Sequence, residues 1–314
     1  MQAPETTDAD RIARITVFCP VCDSPPSQKC APLIDAFSGE VFPLVACQKC
    51  SCLFLSQGPT VDRLPSYYAT TQGEEMVSKP NPIFSWLRRI QLKLEARAFE
   101  RHLSPGARVV DLGAGDGSFI RLLYERGHST LAVDQCSPSY WHHPEISFVQ
   151  SDLHGERFQA HCLLMQGSGP DLVIMRHVLE HIYNPALLIR KLHQQNTKYI
   201  WVVVPNAESR LRKILGQYWC MWDPPRHLTH FTPKTVSKLL SEAGYEVELC
   251  RTYGIDEWVS SFYRYLKVKK IGGSARWVEL FKPKGILAAF SSSLAAALRM
   301  NTSIGILAKR VDSL

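Results

Sequence analysis

Two Cys-x-x-Cys pairs and one glycine loop bracketed by acids carry the most directly readable chemistry in this chain. Cys19-Pro-Val-Cys22 and Cys47-Gln-Lys-Cys50 supply four thiols in two pairs. A tight turn sets both sulfurs of a pair on one side, and four thiolates at about 2.3 Å close a tetrahedral zinc shell with no position left for water. Such a shell holds structure and does no hydrolysis. It also supplies the stability that a segment too small for its own core lacks. Cys30 and Cys52 lie near enough in sequence to stand in for one of the four.

The glycine loop follows an apolar pair and reads Val109-Val110-Asp111-Leu112-Gly113-Ala114-Gly115-Asp116-Gly117. Glycines at the end of a strand allow a sharp turn and close approach of a ligand to the backbone. The register is not that of a dinucleotide loop, which sets its third glycine three places after the second. An acid stands just before the loop and another inside it. Carboxylates repel a pyrophosphate but suit a cation, and S-adenosylmethionine (SAM) carries an ammonium and a sulfonium with no phosphate. Asp134 is placed to accept from ribose hydroxyls at the end of the next apolar run, and Asp152 to accept from an adenine amino group after the one beyond.

These groups need a frame. Short apolar runs recur at Arg108–Asp111, Thr130–Asp134, Ile146–Val149, Asp171–Met175, Tyr199–Val204, Tyr245–Arg251 and Ile304–Val311. Segments long enough for crossover helices separate the first five, which predicts an α/β fold with a mostly parallel sheet of seven strands and helices on both faces. A helix is expected over Ile83–Leu103, with Arg88, Arg89, Lys93, Arg97 and Arg101 largely on its outer face. The expected organisation is a zinc ribbon and linker over 1–80, then a Rossmann-like domain over 81–314 with an insertion at 253–302.

From about Ala98 to Val311 the chain resembles class I SAM-dependent methyltransferases. Asp111 to Gly117 matches their first motif, Asp134 their ribose acid, Ser151-Asp152-Leu153 their adenine-side motif, and the stretch from Asp171 through Arg176 and His177 their fourth. The resemblance implies an antiparallel seventh strand. It also implies cofactor contacts from Asp111, Gly113, Ala114, Gly115, Asp134 and Asp152, with Arg176 and His177 bordering the methionine end. The ribbon, the pair Tyr67-Tyr68 and Pro225-Arg-His-Leu-Thr-His-Phe-Thr-Pro233 further resemble the subgroup acting on sugars and natural products.

Methyl transfer is an in-line displacement, so the protein must align the acceptor and, where needed, take its proton. Trp219 to Phe231 follows the fifth strand at the same sheet edge and holds His227 and His230. His227 is the first candidate for the base, in a segment similar to one of the sugar C-methyltransferases where a histidine lies near the acceptor; fixing its own loop is the competing role. His230 beside Phe231 reads more readily as structural. Tyr67 or Tyr68 could close over the acceptor or simply pack, and Trp219 and Trp222 are expected to wall its pocket. His177-Val-Leu-Glu180-His181 has the spacing of an inverted zinc-protease motif. That reading is set aside because the stretch follows a buried strand and no further ligand is visible; Glu180 and His181 are expected to hold the next helix.

The 314 residues carry a net charge of +7 and a pI near 8.9, which fits a phosphorylated or lipid-linked small acceptor and is also ordinary for a soluble enzyme. The N-terminal MQAPETTDADR has neither a basic nor an apolar region of a secretory leader, so a cytoplasmic location is expected. Gly285–Met300 is too short and serine-rich to span a membrane, which takes about 20 apolar residues. The 253–302 insertion either covers the site, packs on the domain or lies on a membrane. Two other functions stay open. A zinc-ribbon RNA methyltransferase fits the basic charge but not the sequence after the fourth strand, which lacks an Asn/Asp-Pro-Pro-Tyr signature, so nucleic acid is not the expected partner. A non-catalytic SAM-binding protein fits the ribbon as a binding module.

Overall fold

The computed structural model describes residues 18–35, 37–68, 82–135, 143–154, 158, 163, 168–253 and 301–311. All seven expected strands form: β6 Arg108–Leu112, β7 Ser129–Asp134, β8 Ser147–Gln150, β9 Leu172–Arg176, β10 Tyr199–Pro205, β12 Tyr245–Tyr253 and β13 Ser303–Arg310. They make one sheet in the order β12-β13-β10-β9-β6-β7-β8. The five from β6 to β10 run parallel, and β13 runs antiparallel to both β10 and β12.

The inner apolar runs become strands because both faces are covered, while the edge strands β8 and β12 stay partly exposed. Alternate residues of one strand enter opposite cores, as the two-residue period of a strand requires. Val110, Leu112, Val173, Met175, Ile200 and Val202 face one core; Val109, Leu172, Ile174, Tyr199, Trp201 and Val203 face the other. The second core is closed by α1 Pro82–Glu100, through Leu92, Ala96 and Phe99, and by α2 Ser118–Tyr124, through Phe119, Ile120 and Leu123. The first is closed by α3 Pro185–Gln194 and by α5 Pro233–Glu242, whose Val236, Leu239 and Leu240 are buried. A six-residue helix between them, α4 Arg210–Leu215, follows β10. Each fully buried aliphatic side chain contributes about 2 kcal/mol.

Helix α1 stops three residues short of the expected Leu103. His102 and Leu103 bond back to Phe99 and Glu100 as turns, and Pro105 disfavours a helical Ser104. On its outer face Arg89, Lys93 and Arg97 are exposed, as is Arg101 just past its end. The side chain of Arg88 lies outside the described residues.

The N-terminal part is a second, small sheet. Strands β1 Pro26–Lys29, β4 Leu44–Cys47 and β5 Leu53–Leu55 pair antiparallel, and a hairpin of β2 Leu33–Ile34 with β3 Val41–Phe42 stands beside them. The sheet's fourth strand comes from far down the chain: β11 Thr229–His230 pairs with β5, Thr229 opposite Phe54 and His230 opposite Leu53. Val45, Cys52 and Phe54 pack in the same core as Val236, Leu239 and Leu240. Almost all of the 253–302 insertion lies outside the described residues. Among those described, no helix is long and apolar enough to cross a membrane.

Candidate functional site

The carboxyl edge of β6 and β7 is built from backbone. Gly113, Gly115 and Gly117 all take positive φ (75°, 55° and 71°), a conformation that side chains other than glycine's strain to adopt. Gly113 donates to the carbonyl of Val133, and a Cβ there would stand 2.4 Å from Val178 Cγ2, so the loop is pressed against the segment after β9. Gly115 donates to Asp134 Oδ2 at 2.8 Å, which fixes the loop to the end of β7. Asp111 is buried beneath the loop; burial pushes its carboxyl up to about 7, with Arg176 pulling it back and Asp134, Glu95 and Asp116 adding to the rise. Asp152 accepts from the amide of His154 at 2.8 Å. Ala114 is buried in the core behind the loop.

Arg176 does not extend into this edge. Its guanidinium donates to both carboxylate oxygens of Glu95, at 2.8 and 3.3 Å, and lies 4.7 Å over the ring of Phe119. Trp201 Nε1 donates to the same Glu95 at 2.9 Å. A buried acid on α1 thus holds the side chain that the fourth motif offers to a ligand, and the sequence alone gave no sign of it. His177 follows with φ of 55°, strained for a residue with a Cβ, while its amide donates to Val203 at 2.8 Å.

Two residues beyond Val178, the chain meets the His227 segment. Leu228 donates its amide to the carbonyl of Glu180 at 2.8 Å. The rings of His181 and His227 stand edge to face with centroids 4.6 Å apart, and ligand atoms of Glu180, His181 and His227 lie within 4.8 Å of one another. Burial pushes the Glu180 carboxyl upward, but the imidazoles of His177, His181 and His227 outweigh it and hold it down at about 2. Burial, with the charge of His227, pushes the His181 imidazole down to about 4. Glu180 and His181, expected to hold the next helix, also bring their side chains to His227, where the 180 and 228 backbones are bonded.

Tyr68 joins the cluster, its hydroxyl 3.0 Å from His181 Nδ1. Tyr67 does not. It packs edge-on against Phe42, and its hydroxyl donates to Glu40; burial and that carboxylate push its phenol up to about 12. His230 is also elsewhere, buried in β11 with its ring 4.8 Å from that of Trp222, where burial and the charges of His227 and Arg212 push its imidazole down to about 3. Trp219 and Trp222 are buried with Leu211 and Leu228 in a third core, so they support the segment rather than wall a pocket.

Behind His227, Arg226 is buried and paired with two acids. Its Nη2 lies 2.8 Å from Asp35 Oδ1 and 2.6 Å from Asp223 Oδ1, and Nη1 donates to the carbonyl of Tyr67 at 3.2 Å. Asp35 follows β2 in the hairpin beside the small sheet, so an ion pair spanning 191 residues ties that hairpin to the His227 segment.

The four cysteines meet at one point. Cys19 and Cys50 sulfurs are 3.5 Å apart, as are those of Cys22 and Cys47, and all four lie within 4.8 Å of one another. Four sulfurs about 2.3 Å from one ion stand about 3.8 Å apart, so the arrangement fits a tetrahedral thiolate shell. Both halves have the same backbone. Cys19 and Cys47 each accept the amide of the residue four places on, and those residues, Asp23 and Ser51, share a left-handed φ of 53° and 62°. Val21 also donates to Cys19 Sγ at 3.4 Å. Cys30 and Cys52 lie outside the four.

A family model described as a methyltransferase domain matches residues 84–249. No curated protein matches the chain. Among solved structures, a SAM-dependent methyltransferase from Archaeoglobus fulgidus is 20% identical, with 78% of this chain and 100% of that one covered and a TM-score of 0.48. The 1,6-didemethyltoxoflavin-N1-methyltransferase of Burkholderia thailandensis is 14% identical over 85% and 98%, with a TM-score of 0.46. The magnesium protoporphyrin IX methyltransferase of Synechocystis PCC 6803 is 14% identical over 80% and 94%, also at 0.46.

Proposed function

Since the chain belongs to the methyltransferase domain family, we propose that it moves a methyl group from SAM to a small-molecule acceptor: a sugar, a nucleotide sugar or a natural-product intermediate. One observation carries the choice of donor. The glycine loop is bonded to Asp134 and underlain by Asp111, and this acidic edge suits a sulfonium and repels a pyrophosphate. When bound, SAM supplies an electrophilic methyl carbon already attached to its leaving group.

The residues then divide the work. Gly113, Ala114 and Gly115 let the ligand approach the backbone. Asp134 accepts from the ribose, Asp152 lies on the adenine side, and the strained backbone at His177 borders the methionine end. Arg176 acts from behind, by closing on Glu95. On the acceptor side His227 turns Nδ1 to the carbonyl of Met221 at 2.8 Å, which leaves Nε2 a lone pair for the acceptor's proton. Tyr68 braces His181 beside it. Tyr67 and His230, buried away from His181, keep structural parts. Cys19, Cys22, Cys47 and Cys50 hold one structural zinc, which fixes the ribbon that carries Asp35.

The test is transfer of a labelled methyl group from SAM to nucleotide sugars and related small acceptors, with ribosomal RNA as the control. Label in a small molecule, with kcat lowered in His227→Asn at unchanged SAM affinity, supports the reading. Label in RNA alone, or SAM bound with no label moved to any acceptor, overturns it.

A further inference from the structure

The cluster of Glu180, His181 and His227 is a set of acceptors facing one another. Glu180 is 1% exposed, and the ring of His177 ion-pairs with its carboxylate. His177 Nδ1 stands 3.4 Å from its Oε1, on a ring that is 41% exposed. The two imidazoles, His227 buried and His181 half-buried, are oriented from behind. His227 Nδ1 lies 2.8 Å from the carbonyl of Met221, and a carbonyl only accepts, so the proton sits on Nδ1 and the lone pair on Nε2. His181 Nδ1 lies 3.0 Å from the carbonyl of Arg226, which sets the same tautomer there, with the Tyr68 oxygen sharing that proton. Two imidazoles and one buried carboxylate thus converge within 4.8 Å of one another, and the carboxylate's neighbour from outside the three is the partly exposed ring of His177, a thin compensation for a buried anion.

We infer that Glu180, His181 and His227 form a binding site for a divalent transition-metal cation. One cation answers all three acceptors at once, and two imidazoles with a carboxylate are a donor set suited to such ions. An imidazole whose far nitrogen is bonded to a backbone carbonyl is in the arrangement that orients metal-ligating histidines. The site differs in kind from the four cysteines, which offer only sulfur. It also explains why the motif was not legible: His177-Val-Leu-Glu180-His181 supplies two ligands, and the third arrives through the bond between Leu228 and Glu180. Three protein ligands leave coordination positions for water or an acceptor oxygen. In its use the inference rests on the methyl-transfer reading. In the cation-loaded site His227 serves as a ligand, and its part as base passes to solvent water, which takes the proton of the coordinated acceptor hydroxyl.

The experiment titrates Co2+ into full-length protein whose cysteine site is already filled with zinc, and titrates SAM into the same preparation. One further equivalent of Co2+ is expected, with the weak absorption of nitrogen and oxygen ligation and no thiolate charge-transfer band. Glu180→Gln and, independently, His227→Gln should each weaken that binding by about tenfold or more at unchanged zinc content and unchanged circular dichroism. Folded wild-type protein that takes up no Co2+, or variants that take it up as well as wild type, overturn the inference and leave a protonated imidazole as the partner of Glu180. SAM binding without the second cation defeats this inference alone. Cation binding without SAM binding defeats the methyl-transfer reading and leaves the cation site standing.

Discussion

Between Asp111 and Asp152 the hydrogen bonds of the carboxyl edge join near neighbours: Gly115 bonds to Asp134, nineteen residues on, and Asp152 to its own His154. Around His227 the contacts come from Asp35, Tyr67, Tyr68, Glu180, His181 and Asp223, and the ion pair of Arg226 with Asp35 spans 191 residues. The first region depends on glycine conformation and one sheet edge. The second depends on a small sheet being folded and docked. Damage to the second should therefore cost acceptor chemistry before cofactor binding, and damage to the first the reverse.

The largest expected effect comes from the cysteines. A structural zinc contributes about 10 kcal/mol or more to such a segment, so Cys47→Ser or a strong chelator should unfold the ribbon and abolish methyl transfer. SAM affinity, measured by titration on the same sample, should change by less than about threefold. Equal loss of both would erase the distinction between the regions.

Asp111 gives the next effect, on the cofactor side. Its folded carboxyl titrates near 7 against an ordinary value of 3.8, so the folded state keeps the proton longer than the unfolded one. Its contribution to stability is fully present below about pH 4 and is lost as pH rises through about 7, by roughly 4 kcal/mol at most. In Asp111→Asn that fall between pH 4 and 7 should be absent in denaturant titrations.

Asp35→Ala removes one partner of a buried guanidinium that still keeps Asp223, a loss of about 3 kcal/mol. Thermal unfolding should show it, and acceptor turnover should fall with SAM affinity kept. Smaller still, Gly113→Ala forces a side chain into left-handed backbone and against Val178, costing about 2 kcal/mol. Here SAM affinity should fall while the four-cysteine site binds zinc as before.

The same contrast explains what could be read beforehand. The strands β6, β7, β9, β10 and β13 were legible because each is a short apolar run buried on both faces, and the glycine loop because its function needs consecutive residues. The two cysteine pairs were legible for the same reason. Glu95 was not, since an acid inside a basic amphipathic helix looks solvated until Arg176 and Trp201 are seen to converge on it. Nor was β11, two residues long, whose pairing with β5 follows from tertiary packing and not from local pattern. Trp219 and Trp222 misled for a related reason: large aromatics beside a presumed pocket serve equally well to fill the core beneath it.

The most direct test of the account is calorimetric titration of SAM into wild-type protein and Asp134→Ala. The account predicts binding in the wild type that weakens by about tenfold or more in the variant, as expected for losing a charged acceptor, with zinc content the same in both. Folded, zinc-loaded wild type that does not bind SAM, or a variant that binds it equally well, would contradict the placement of the cofactor on the glycine-loop edge.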